Sequence, residues 1–119
     1  MSKVAVVKTQ DQSYESIKKA VDQVIEQIGG LEDIIKPGYK VIIKPNLVAC
    51  PTDRLSGGIT RWEVCLAIYE AVQAVGGVQV IAESSAAGAD TELTIAKCGY
   101  QELRDKGIPV IDLKNNENA

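Results

Sequence analysis

Six polar side chains stand where apolar segments begin or end. Lys44 and Asn46 follow Val41-Ile42-Ile43, Thr60 and Arg61 open a stretch with a helical apolar stripe, and Glu83 and Ser84 follow Val78–Ala82. Two cations, two hydroxyls, an amide and a carboxylate gathered in one place suit a phosphate or carboxylate ligand, because hydrogen-bond donors and positive potential coincide there. Lys8, after the apolar run Val4–Val7, would join the same group.

Glu83 at a strand tip suits an acid, a base or a metal ligand if partly desolvated, and equally an ion pair with Lys44 or Arg61. Lys44 also reads as a strand-end lysine with its stem on the core and its charge in water. Thr60 and Glu63 have the Thr-x-x-Glu spacing of a helix-capping box, worth about 0.5 to 2 kcal/mol in its own right. Ser84-Ser85-Ala86-Ala87-Gly88 could wrap an anion with backbone amides or form a plain tight loop. Trp62 could stack on a ligand or pack against the loop before it.

Much common enzymology is excluded. The chain has no histidine, so it holds no His-based triad, histidine general base or His-ligated metal. Cys50, Cys65 and Cys98 are too few and too widely spaced for a disulfide framework or a Cys-x-x-Cys knuckle, so no iron-sulfur or other metal site is read within the chain. Cys50, at the loop edge, is the candidate reactive thiol, while Cys65 and Cys98 read as small core residues in helices. Gly57-Gly58 lacks P-loop spacing, and no Gly-x-Gly-x-x-Gly follows a strand.

These side chains need elements to position them. Pro45 ends the strand Lys40–Lys44, whose unbroken β-branched run fits a central strand covered on both faces. Ile17, Ala20, Val21, Val24, Ile25 and Ile28 form one stripe of a helix capped by Ser13 and stopped by Gly29-Gly30, which is expected to cover a face of the sheet. Val64, Ala67, Ile68, Ala71, Val72 and Val75 form the stripe of a second helix from Thr60, stopped by Gly76-Gly77. Asp90 or Thr91 caps a shorter helix interrupted near Gly99, and Val4–Val7, Val78–Ala82 and Ile108–Leu113 complete a set of four strands.

Strands alternating with helices predict an α/β fold: a mainly parallel sheet in a three-layer arrangement, with the loops after the strands opening on one edge. Residues 1–113 form the domain and 114–119 a frayed tail. With 119 residues and 45% hydrophobic content, the chain is large enough for a core. A net charge of −3 speaks against a nucleic-acid face. The absence of a signal-like or membrane-length apolar run makes the cytoplasm the expected location. Three helices over four strands suggest an incomplete portion of a larger domain, whose uncovered edge would drive homo-oligomerisation.

Lys36-Pro37-Gly38, the segment Val41-Ile-Ile-Lys-Pro-Asn-Leu-Val48, Thr60 opening a helix, Gly76-Gly-Val78, Glu83-Ser84 and Gly99-Tyr100 together resemble the domain of unknown function 362 family. Ile43–Val48 is the most specific part. The family usually has a Thr-Thr-His-Pro-like segment where this chain has Ile59-Thr60-Arg61-Trp62, so only Thr60 carries over there. The resemblance implies the amino-terminal part of a longer protein, of a kind common in anaerobic bacteria and archaea and often joined to a ferredoxin-type four-iron four-sulfur module. Its carboxyl-terminal or ferredoxin-type domain would lie outside this chain. The functional expectation is a small anionic ligand or cofactor, of unknown identity, held by Lys44, Asn46, Thr60, Arg61, Glu83 and Ser84. The alternative is a non-catalytic scaffold that docks another domain or subunit.

Overall fold

Three short apolar segments, each followed or preceded by a helix, pair side by side in the computed structural model, which describes residues 2–47, 59–84 and 90–113. The strands are β1 (Lys40–Ile43), β2 (Val78–Glu83) and β3 (Val110–Asp112), all parallel, in the order β1-β2-β3. Helix α1 (Tyr14–Gln27) precedes β1, α2 (Trp62–Ala74) lies between β1 and β2, and α3 (Thr91–Lys97) and α4 (Gln101–Asp105) lie between β2 and β3. The α/β class and the parallel sheet agree with the sequence.

The caps form where short polar side chains allow. Ser13 Oγ accepts from the Ser16 amide at 3.2 Å, and Asp90 Oδ1 accepts from the Leu93 amide at 3.0 Å. Gly29 and Gly30, with φ of 106° and 81°, close α1 in the left-handed region that glycine tolerates best. Gly77 has a different reason for being glycine: a Cβ there would meet Val72 Cγ1 at 2.5 Å, where β2 leaves the end of α2.

Register divides the sheet into two faces. Ile43 pairs with Ile81 and Ile81 with Val110, and this face is buried beneath α2, α3 and α4 with Leu47, Cys65, Leu66, Ile95, Cys98, Tyr100 and Leu103. Ile42 pairs with Val80 on the other face and is 67% exposed, while Val78 is 60% exposed. A helical layer over that second face is not formed among the described residues.

Three expectations are corrected. β1 is an edge strand of the described sheet and β2 is the middle one, because successive connections crossing on one side step the strands in one direction and leave the first at the margin. Residues 4–7 form no strand, and Val4 and Val6 are almost fully exposed. Helix α1 packs chiefly against α2 rather than directly on the sheet. Strand β3 starts one residue after Pro109, which fits a ring that cannot donate to the ladder.

Candidate functional site

The carboxyl edge is built around Glu83, the last residue of the middle strand. Its side chain is buried, with Oε2 accepting from the Leu47 amide at 2.8 Å and Oε1 from the Ser84 amide at 2.9 Å. Lys44 Nζ lies 3.3 Å from Oε1, and the Glu83 carbonyl accepts from the Leu113 amide at 3.0 Å. One residue thus ties together the exits of all three strands. Both carboxylate oxygens are engaged by backbone donors, so Glu83 is a structural pin, and the expected pairing with a cation is made by Lys44.

Asn46 and Thr60 form a clasp. The Asn46 amide donates to Thr60 Oγ1 at 3.0 Å, and the Thr60 amide donates to the Asn46 carbonyl at 3.0 Å. The Thr60–Glu63 capping box is therefore not made. The hydroxyl is spent on Asn46, the cap residue of α2 is Arg61, and it makes no side-chain cap bond. Beneath the clasp, the Tyr100 hydroxyl donates to the Thr60 carbonyl at 2.6 Å and meets Cys65 Sγ at 3.3 Å. With its proton given to Thr60, the phenol oxygen is left to accept from the thiol. Burial pushes the Cys65 thiol up to about 11, against the opposing pull of its bond to Tyr100, and burial also raises the Tyr100 phenol.

Arg61 is separated from this group in function. Its guanidinium donates to the Gln12 side chain and to Glu63, and also approaches the Gln12 carbonyl at 3.4 Å. It fastens the chain before α1 to the start of α2. Its side chain is 19% exposed, against 62% for Lys44. Of the two cations assigned to the edge, Lys44 is the one whose ammonium faces solvent.

The structure therefore brings together Lys44, Glu83 and Ser84, and joins Asn46 to Thr60, while Arg61 turns to a neighbouring contact. Tyr100 and Asp112 were not singled out from the sequence as parts of this edge. Asp112 is buried as the register partner of Glu83. The signal for Tyr100 was a tyrosine between Gly99 and a short polar helix, whose hydroxyl must find a partner once the ring is buried. Cys65 and Cys98 are buried core residues as expected, and half-buried Trp62 packs against the core. Cys50, Gly57-Gly58 and Ser85–Gly88 lie outside the described residues. The larger cavities among the described residues run along α1, including a groove of about 450 Å³ between α1 and α2, and do not reach Lys44. No group of three His, Cys, Asp or Glu side chains suited to a metal ion occurs among the described residues, and no described helix is long and apolar enough to cross a membrane.

Residues 41–119 match the family model described as Domain of unknown function (DUF362). A thylakoid-associated protein of Synechocystis sp. is 31% identical over 112 residues, an alignment covering 91% of this chain and 34% of the relative. The chain thus spans about a third of that relative's length. No solved structure matches.

Proposed function

The chain belongs to the domain of unknown function 362 family, and from that starting point we propose that its carboxyl edge binds a small anion, a phosphate or a carboxylate. Lys44 supplies the charge, and Asn46, Thr60 and Ser84 supply polar groups around it. Glu83 and Arg61 hold the surrounding chain in place. The observation that carries this reading is the solvent-facing Lys44 ammonium, set beside a clasp and a pin that fix the loop ends at the strand exits. Ligands of open parallel sheets sit at this edge. Two or three charge-assisted bonds of about 1.5 to 3 kcal/mol each support micromolar to millimolar affinity after the cost of association.

Titration with inorganic phosphate, followed by backbone amide chemical shifts, tests the reading. Shifts concentrated at Asn46, Leu47, Thr60 and Ser84 support it, and shifts scattered over surface lysines contradict it. An iron-sulfur-linked redox role rests on the family resemblance alone. A Cys-x-x-Cys-x-x-Cys series elsewhere in the reading frame would support it.

A second reading, assembly with another domain or subunit, is favoured by one observation: the exposed apolar pair Ile42 and Val78 on the uncovered sheet face. Light scattering across concentrations tests self-association through that face. A monomer that stays monomeric when concentrated removes the homo-oligomer. The thylakoid association named for the relative leaves the compartment of this chain to direct localisation, with the cytoplasm as our proposal.

A further inference from the structure

Helices α1 and α2 bring two apolar stripes together without closing them over. Ile17 and Ala20 are buried, but Val21, Val24, Ile25, Val64 and Ile68 stay half-buried along the groove of about 450 Å³ between the helices. A concave, mostly apolar space of this size with a few polar groups at fixed points has the character of a small-molecule site. The polar groups are gathered at one end, because Gln12 and Arg61 stand just before the two helices begin. From Arg61 to Ile68 the wall made by α2 runs for about 10 Å.

One atom at the polar end lacks a partner. Arg61 spends its terminal nitrogens on Gln12 and Glu63, while its Nε is buried and has no acceptor among the described residues. A buried donor left in that state costs free energy, which an incoming oxygen would recover. We propose that the groove binds a neutral aliphatic molecule bearing a carbonyl or hydroxyl oxygen, with the chain along Val21, Val24, Val64 and Ile68 and the oxygen accepting from Arg61 Nε. Gln12 is exposed and lines the same end, and it is the side chain that shifts to admit the oxygen.

Charge and size select this occupant. Among the described residues that line the groove Arg61 alone is charged, and its charge is already matched by Glu63, whose side chain is 4% exposed. A fatty carboxylate would set a second negative charge beside a buried one, whereas a ketone, an ester or an alcohol brings an acceptor and no charge. The groove has room for a single aliphatic chain, whereas a stable protein interface covers roughly 800 Å² on each partner. The site is also separate from the carboxyl edge, since the groove does not reach Lys44.

Titration of the 119-residue chain with methyl hexyl ketone, and in parallel with octanoate, tests the proposal through methyl and arginine side-chain resonances. The ketone should move the methyl signals of Val21, Val24, Val64 and Ile68 to saturation and shift the proton on Arg61 Nε. Octanoate, equal in carbon count but charged, should bind about tenfold more weakly or worse. Val64→Trp fills the groove and Arg61→Ala removes the donor, and each should weaken the ketone by about tenfold. The proposal is overturned if no saturable shift appears, if octanoate binds as tightly as the ketone, or if the Arg61 proton does not respond. Shifts that fall equally on the exposed Ile42 and Val78 would overturn it too, as would groove signals that move on dilution without ketone and so make a second copy the occupant. If Arg61→Ala fails to fold, Val64→Trp and the Arg61 proton of the natural chain decide. None of these readouts involves phosphate, so failure here is distinct from failure of the anion site.

Discussion

Lys44 and Arg61 are the two cations of one sheet edge, and they do opposite work. Lys44 leaves an edge strand with its ammonium mostly in solvent, and its pairing with Glu83 adds little to a carboxylate already bound by two amides. Arg61 is three-quarters or more covered and spends its guanidinium on Gln12 and Glu63. The difference is one of fastening: Arg61 ties two segments together, whereas Lys44 keeps its charge in solvent, which is the basis of the proposed anion site. It also separates substitutions that should damage the fold from one that should damage binding.

The largest effect should come from the pin that underlies the Lys44 corner. Glu83→Ala removes the acceptor of two amides at once, and chemical denaturation should show a loss of about 3 kcal/mol or more. A loss near zero would mean that water replaces the carboxylate and that the strand exits are not tied through it. Tyr100→Phe comes next, at about 1 to 3 kcal/mol, because the part-buried Thr60 carbonyl loses its donor and the Cys65 thiol its acceptor.

The Arg61 corner should show a smaller cost and no effect on ligand. Arg61→Ala should destabilise by about 1 to 2 kcal/mol through release of Gln12, with phosphate affinity unchanged in calorimetry. Lost affinity in a folded variant would erase the distinction between the two cations. Alkaline titration gives a gentler test of the core beneath the clasp. The folded state holds the Cys65 proton more tightly than the unfolded chain, so this contribution is intact below the ordinary value of 9.0 and is lost as pH rises towards about 11. The raised phenols of Tyr14 and Tyr100 act with the same sign at higher pH. Cys65→Ala should flatten the fall in denaturation midpoint between those two values.

The sequence was most legible where the signal was local. Ser13 and Asp90 cap their helices, Gly29-Gly30 closes α1, and the Val78–Ala82 and Ile108–Leu113 segments hold β2 and β3. It was least legible where a residue had two partners to choose from. Thr60 had a correctly spaced Glu63 but took the amide of Asn46, a contact across 14 positions that spacing within a helix does not register. Ile42 and Ile43 are neighbours of the same type with different fates. An unbroken apolar run says that both faces favour burial, but which face gets covered depends on the side taken by every crossover. The gathering of Lys44, Glu83 and Ser84 followed from parallel topology, whereas the separation of Arg61 followed from Gln12, distant in sequence and unremarkable in type.

The central claim is that Lys44 is held for a ligand and not for the fold. Calorimetric titration of phosphate into the natural chain and into Lys44→Ala, with thermal melting of both proteins, tests it directly. The account predicts about tenfold weaker phosphate binding in the variant and a change in folding stability within about 0.5 kcal/mol. Equal affinity in the two proteins, or a variant that chiefly unfolds, would contradict it.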